Sequence, residues 1–325
     1  MGTIERYRKP FLIYNRFAGG LRRREHALRH SLDILASRGL KVEAIATDGP
    51  NTAAGIARRC ISGGADLILA AGGDGTINEV VNGMVHSSVP LGILPAGTAN
   101  VLANELAIGS TMERAAKSLD QCVPERIALG LLSNVAGDEP RHFLLMAGAG
   151  LDAQIVHDIN YKLKDALGKV AYWIAGFSKV GSRMPEFTVE AEGREFLASF
   201  ALASRVRNYG GDLEIAPSIS LLDDRFELVL FEGASSFTFL KYMMGVVVKR
   251  HQTMRGVTII RTRKALFSAS ADNKIHLQVD GEYAGLAPGA VEIVPNALTL
   301  LVPPGFRARR PATADETAWT TSPTR

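Results

Sequence analysis

Hydrophobic positions along the first third of the chain fall into two alternating kinds of run. Short apolar stretches at Phe11–Tyr14, Val42–Ala46, Leu67–Ala71 and Leu91–Leu94 read as buried strands. Between them, Leu21–Arg38 places Leu28, Leu32 and Leu35 on one helical face, and Thr52–Ile61 and Ile77–Met84 read as further helices. Strands that alternate with helices over short connections predict a parallel sheet covered on both faces. Residues 1–122 are therefore expected to form a doubly wound α/β domain.

The texture changes after Cys122. Short β-like runs at Phe143–Met146, Phe187–Glu190, Phe196–Ala203, Phe226–Phe231, Val257–Arg261, Ala265–Ala269, Lys274–Val279 and Val291–Val294 are separated by Gly, Pro, Asp and Asn. That pattern predicts a mainly antiparallel β-sandwich over residues 123–305, with the last strand allowed to return to the first domain. Two helical stretches interrupt it. One is a stripe of Ile155, Ile159, Leu163, Leu167, Val170 and Ile174, read as core, with Tyr172 and Trp173 partly off it as candidates for an interface. The other is the apolar Phe237–Arg250, with a basic end. Residues 306–325 have little to bury and are expected to be disordered.

Composition narrows the class. Hydrophobic residues at 46% and charged residues at 22% suit a soluble protein with a sizeable core. A net charge of +4 is too weak to argue for nucleic acid, but it suits an anionic substrate or membrane surface. Cys60 and Cys122 are too few for a disulfide framework or a zinc site, and read as buried fillers in a reducing cytosol. The charged start, Met1–Pro10, precedes too short an apolar run for a signal core. The charge-free stretch Val80–Asn104 is broken by Gly83, Pro90, Gly92, Pro95 and Gly97, so no spanning helix is expected. A cytoplasmic protein with at most peripheral membrane contact follows, and a homodimer is compatible with the sequence. His26 and His30 share a helical spacing but lack a third ligand, and are expected to be exposed.

Candidate chemistry concentrates in glycine loops. Ala70-Ala71-Gly72-Gly73-Asp74-Gly75-Thr76 leaves a strand and opens a helix, whose first amides and positive dipole end suit phosphate. Taken alone, it reads equally well as a tight turn capped by Asp74 or Thr76. It is neither a Walker A loop nor a G-x-G-x-x-G fingerprint. Leu94-Pro95-Ala96-Gly97-Thr98-Ala99-Asn100 repeats the strand, turn and helix order about 20 residues on, at the same predicted sheet edge. Asn15-Arg16-Phe17-Ala18-Gly19-Gly20 also leaves a strand, ahead of Arg22, Arg23 and Arg24. Asp280-Gly281-Glu282 reads by itself as a hairpin turn with solvated charges.

These pieces, in this order and with Gly148–Asp152 and Asn208–Asp224 between them, resemble the diacylglycerol kinase catalytic-domain family. That family includes bacterial diacylglycerol kinases, YegS-like relatives, and sphingosine and ceramide kinases, and the likeness covers residues 10–305. The Gly-Gly-Asp-Gly-Thr element is shared with NAD kinases and phosphofructokinase-like enzymes. The resemblance implies an ATP- and Mg²⁺-dependent kinase acting on a lipid hydroxyl, of diacylglycerol or a similar lipid, at an anionic membrane surface. Nucleotide contacts are implied for Asn15, Gly19, Thr47, Gly72, Gly73, Asp74, Gly75, Thr76, Glu79, Gly97, Thr98 and Asn100, with Asp74 also a partner of Mg²⁺. Glu282 is the implied proton acceptor, and Asp280 its rival. In relatives, a structural Mg²⁺ sits in the loop that corresponds here to Asp224 and the Leu221 and Phe226 carbonyls. This chain departs from the pattern there, with Arg225 in place of the usual Gly. Two alternatives stand beside the lipid kinase: a soluble-substrate kinase of the NAD-kinase type, and a non-catalytic nucleotide- or lipid-binding regulator. The basic stretch Lys241–Lys264 (Lys241, Lys249, Arg250, Arg255, Arg261, Arg263 and Lys264, with no acid) is the expected headgroup contact.

Overall fold

The computed structural model describes residues 6–16, 21–134, 139–158, 183–210, 213–270 and 273–309. Most of the Ile155–Ile174 stripe, Tyr172, Trp173 and the tail beyond residue 309 lie outside them. Two compact units emerge: Met1–Leu129 with Pro295–Arg309, and Gly130–Val294. The first boundary therefore falls inside a strand, several residues beyond the change of texture at Cys122.

In the first unit, β1 (Pro10–Tyr14), β2 (Glu43–Ala46), β3 (Leu67–Gly72) and β4 (Leu91–Pro95) lie in the order β2-β1-β3-β4, all parallel. Helices α1 (Leu21–Ser37), α2 (Ala53–Ser62), α3 (Asp74–Met84), α4 (Val101–Leu106) and α5 (Met112–Ser118) connect or follow them. Every residue of β3 and β4 is buried, as a central parallel strand covered on both faces requires. The chain returns at residues 295–302 to pair in parallel with β4 through Leu300 and Leu91.

The second unit is a sandwich. One antiparallel sheet has the order β14-β13-β10-β7-β16-β17, made from Val257–Thr262, Phe226–Phe231, Phe200–Ser204, Met146–Gly150, His276–Val279 and Glu282–Leu286. Opposite it, β8 (Phe187–Ala191) pairs with β9 (Arg194–Ala198) and β15 (Lys264–Ser268), and β15 pairs with Gly289–Glu292 at the start of β18 (Gly289–Val302). Inward faces of both sheets meet in one apolar cluster that includes Phe143, Phe187, Phe226, Phe267, Leu228 and Leu277. The single strand expected over Phe196–Ala203 is in fact two. β9 ends at Ala198 and β10 begins at Phe200, and Ser199 between them donates its amide to the Phe231 carbonyl as the chain changes layers. β5 (Val123–Asn134) and β6 (Arg141–Phe143) pair antiparallel. α6 (Leu151–Asp158) follows β7, and α7 (Ser236–Val247) follows β13.

Candidate active site

Adjacent parallel strands deliver the two glycine loops to one sheet edge. β3 ends at Gly72, β4 ends at Pro95, and the two residues are partners in the ladder. α3 begins at Asp74, earlier than hydrophobic spacing suggested, so Asp74, Gly75 and Thr76 form its first turn and their amides belong to an anion-compatible helix start. A Cβ on Gly97 would stand 2.6 Å from the Gly73 Cα, and one on Gly72 would stand 2.6 Å from the Thr76 Cβ. Gly97 is thus required first for the packing of one loop on the other, and Gly72 for the fit of its own turn against Thr76. Any benefit to a ligand's approach comes in addition.

Side chains then lock the loops together. The Asp74 carboxylate accepts hydrogen bonds from the amides of Val101 (3.1 Å) and Leu102 (3.2 Å), tying the first turn of α3 to the start of α4. Asn100 is buried in the left-handed region at φ 46°. Its Oδ1 accepts from the Gly97 amide and its Nδ2 donates to the Gly97 carbonyl, so this side chain braces the second loop from within. At the end of β1, Asn15 donates through Nδ2 to the Thr76 hydroxyl at 3.3 Å. Glu79 accepts from the Ala53 amide at the start of α2. Thr98 is exposed. Thr47, after β2, is buried, and its hydroxyl has no hydrogen-bond partner among the described residues. Gly19 lies outside the described residues.

This set fits a nucleotide. Helix-start amides, an unpartnered buried hydroxyl and a carboxylate held in place by two amides are suitable donors and acceptors for phosphate and its counterion. Mg²⁺ asks little more of a protein, since it keeps several waters and uses few carboxylates beside the substrate's phosphates. Among the described residues no group of three or more His, Cys, Asp or Glu gathers to hold a metal, and His26 and His30 merely stack, 6.5 Å apart. Burial raises the thiol pKa of both Cys60 and Cys122, as expected of core fillers.

In the second unit, Asp280-Gly281 is the two-residue turn joining β16 to β17, with both residues at positive φ, 48° and 79°. An Asp-Gly pair suits such a hairpin turn. The two acids have separate fates. Asp280 is not solvated: its carboxylate is buried and accepts the amides of Leu144, Leu145 and Met146, each at 2.9 Å. Glu282 opens β17, its side chain is 31% exposed, and it takes the Arg141 guanidinium at 2.9 Å. Arg141 also donates to the Tyr283 carbonyl. Tyr283, His157 and His276 form a ring cluster beside it, with centroids 4.5–5.7 Å apart. Sequence reading missed Arg141. It lies 141 residues from Glu282, and no local pattern marks it.

The Leu221–Phe226 loop does not fit the divalent ion implied for it. The Leu221 carbonyl accepts from Arg205 Nη2 at 2.9 Å, and the Asp224 carbonyl accepts from Arg263 Nε at 3.1 Å. Arg263 Nη2 also lies 3.8 Å from the Asp224 carboxylate. Two of the three implied acceptors, the Leu221 carbonyl and the Asp224 carboxylate, already face guanidinium groups, so no step is assigned to a metal there.

Next to this loop, Glu227 is buried on β13 and accepts from the Ser218 amide. Burial pushes its carboxyl up to about 7, with the Ser218 hydrogen bond and Arg261 only partly opposing. A raised folded-state pKa means that the native protein holds a proton the unfolded chain has lost. Stability should therefore fall as pH rises from about 4.5 to about 7, by about 3 kcal/mol at most. Glu227→Gln keeps the acceptor and removes the titration. Thermal melts should show the variant gaining on wild type between pH 5 and pH 8. Parallel pH profiles would place the titration elsewhere.

A phosphate-compatible edge of a parallel sheet, followed by a β-sandwich whose Asp-Gly-Glu hairpin buries Asp280, is the architecture of the NAD-kinase and lipid-kinase fold class. Residues 9–132 match the diacylglycerol kinase catalytic domain, and residues 146–302 match the YegS C-terminal NAD kinase beta sandwich-like domain. A diacylglycerol kinase of Bacillus subtilis (strain 168) is 31% identical over 287 residues, covering 86% of this chain and 91% of that protein. One from Staphylococcus aureus (strain JH9) is 29% identical, covering 85% and 87%. A crystal structure of a diacylglycerol kinase from Bacillus anthracis str. Sterne shares the fold at TM-score 0.74 and 19% identity, over 92% of this chain and 99% of that one. The chain belongs to the diacylglycerol kinase catalytic-domain family and is a lipid kinase.

Proposed function

We propose that this lipid kinase transfers the γ-phosphate of ATP, with Mg²⁺, to the hydroxyl of diacylglycerol or a closely similar lipid. The supporting observation is the pair of glycine turns at the ends of β3 and β4, clamped by Asp74, in a chain of this family. Bound Mg²⁺ supplies charge neutralisation on the phosphates. The α3 first-turn amides would hold phosphate oxygens, and Asp74, aimed by the Val101 and Leu102 amides, would help hold the ion. Glu282 takes the acceptor hydroxyl's proton, and Arg141 fixes the direction of its carboxylate. Asp280 accepts three amides from its neighbouring turn, which supports a positioning role for it and favours Glu282 as the base. Purified protein incubated with labelled ATP, Mg²⁺, a panel of lipid alcohols and NAD should label the lipids. Label on NAD alone would overturn the reading, and nucleotide binding without product would favour a regulator.

A water-insoluble acceptor is met at a bilayer, and α7 offers a face for one. Phe237, Lys241, Met244 and Val248 recur at helical spacing along it and are exposed, with Val247 beside them; Phe237 is 65% exposed and Met244 53%. Tyr242 and Met243 instead point into the unit and are buried. The basic stretch contributes less than its seven charges suggest. Lys249 pairs with Glu214, Arg261 with Asp223 and Arg263 with Asp224. Exposed Lys241, Arg250 and Arg255 flank the apolar stripe, the arrangement expected of an interfacial helix on anionic lipid. Among the described residues no helix is long and apolar enough to cross a membrane. The protein should sediment with anionic vesicles, and the double variant Phe237→Ser, Met244→Ser should weaken that binding. Activity on bilayer substrate should fall with it, while activity on a detergent-dispersed short-chain substrate survives. Equal losses on both substrates would assign the face to the fold, and a dimer abolished by the same variant would assign it to a second copy.

A further inference from the structure

Arg205 is the largest fully buried side chain among the described residues, at 0% exposure, and neither the nucleotide loops nor the Asp280–Glu282 hairpin needs it as a ligand. We propose that its guanidinium is a built-in cation that replaces a divalent ion in the Ser218–Phe226 loop, and that it positions the hairpin carrying Glu282.

The loop's acceptors converge on it. Nη1 donates to the Asp223 carbonyl at 3.1 Å and Nη2 to the Leu221 carbonyl at 2.9 Å. These are two backbone oxygens on one turn, spanned by the fork of a single planar guanidinium. The remaining acceptors are shared out among other arginines. The Asp223 carboxylate takes the Ser220 amide and Arg261, and Arg261 also donates to the Ser218 carbonyl. Arg263 takes the Asp224 carbonyl. Three guanidinium groups therefore already hold acceptors of this loop, with Asp223, Asp224 and Asp280 balancing Arg205, and a divalent ion would have to displace them to reach those oxygens. A glycine at position 225 would leave the backbone open there; here Arg225 adds a fourth cation to the loop. Burial lowers the Arg205 pKa only to about 10, with Asp224, Asp223 and Asp280 opposing, so the group stays charged near neutral pH.

The same residue reaches the catalytic hairpin. Its backbone amide donates to the Leu145 carbonyl at 2.8 Å, and the Leu145 amide donates in turn to Asp280 Oδ1 at 2.9 Å. Asp280 opens the turn that ends at Glu282. Loop, Arg205, the Leu144–Met146 amides and the hairpin thus form one polar network. The backbone link is independent of the side chain, but the Asp280 carboxylate also acts on the guanidinium charge, so a shift of the loop would reach the hairpin through the Arg205 side chain, which makes Arg205 a positioning residue.

The metal-free half of this inference is tested on the wild-type protein and is independent of the acceptor lipid. After dialysis against EDTA, without nucleotide, the protein should retain no stoichiometric metal, and its Tm should move by less than about 1 °C when Mg²⁺ or Ca²⁺ is restored. Retained metal, or a Tm that falls by several degrees in EDTA and recovers with Mg²⁺, overturns it. The variant Arg205→Ala vacates the loop carbonyls. Its Tm should drop, and it should acquire a dependence on Mg²⁺ or on millimolar guanidinium that the wild type lacks. A drop that neither cation relieves would mean that only packing was lost. The positioning half rests on the proposed lipid kinase reaction. Arg205→Lys keeps the charge but not the fork, and should lower kcat about 10- to 100-fold with KM for ATP unchanged. An unchanged kcat overturns the link to Glu282. Should Arg205→Ala fail to fold, Arg263→Gln, which frees the Asp224 carbonyl and carboxylate while Arg205 still holds the Leu221 and Asp223 carbonyls, should still melt independently of Mg²⁺; a Mg²⁺-dependent Tm in that variant overturns the replacement.

Discussion

Replacing Asp74 by Ala should reduce turnover about 10³-fold or more and also lower Tm. The first effect follows from the proposed role of this carboxylate beside the metal and phosphate charge, where it would contribute several kcal/mol to the transition state. The second follows from geometry that no local motif discloses. The same carboxylate accepts the Val101 and Leu102 amides, so its removal strands two helix-start donors and unties α4 from α3. Hydrogen bonds to a charged group are worth roughly 1.5–3 kcal/mol each, so a loss of about 3 kcal/mol is a fair expectation. Asp74→Asn keeps one carbonyl oxygen and should recover part of the stability with none of the turnover. Kinetics at saturating Mg²⁺ together with thermal melts separate the two roles. Near-normal turnover in either variant would remove Asp74 from the mechanism.

Glu282→Gln should slow the chemical step by about 10² to 10⁴, the usual contribution of a general base. Gln retains an acceptor for Arg141, so the hairpin should stay in place and ATP affinity should hardly change. Asp280→Asn should behave differently. It takes a buried carboxylate away from three amides, so the expected signature is a fall in stability accompanied by lost activity. A nearly silent Glu282→Gln beside a stable but inactive Asp280→Asn would exchange the two roles.

Wherever local pattern and tertiary demand coincide, the sequence reading and the structure agree. The strands Phe11–Tyr14, Leu67–Ala71 and Leu91–Leu94 are apolar throughout because a central parallel strand is buried on both faces, and each lies within one of β1, β3 and β4. The Asp-Gly pair at 280–281 marks a hairpin because both positions need positive φ. Phe196–Ala203 reads as one strand because only Ser199 interrupts its apolar run. The change of layers at Ser199 depends on the Phe231 carbonyl, which is far away in sequence.

Sequence by itself determined the α/β-then-sandwich order, the two glycine loops and the family, since these depend on residue type, spacing and short-range backbone conformation. Only the tertiary structure decided what the polar side chains do. Gly73 and Gly97 let the two loops pack on each other, Asn100 braces the second loop from within, and Asp280 accepts the Leu144–Met146 amides. Glu282 is aimed by Arg141, and the acid loop closes on Arg205. Each of these outcomes rests on a hydrogen-bond partner brought near by folding, and a buried polar group's role is set by the partner that satisfies it.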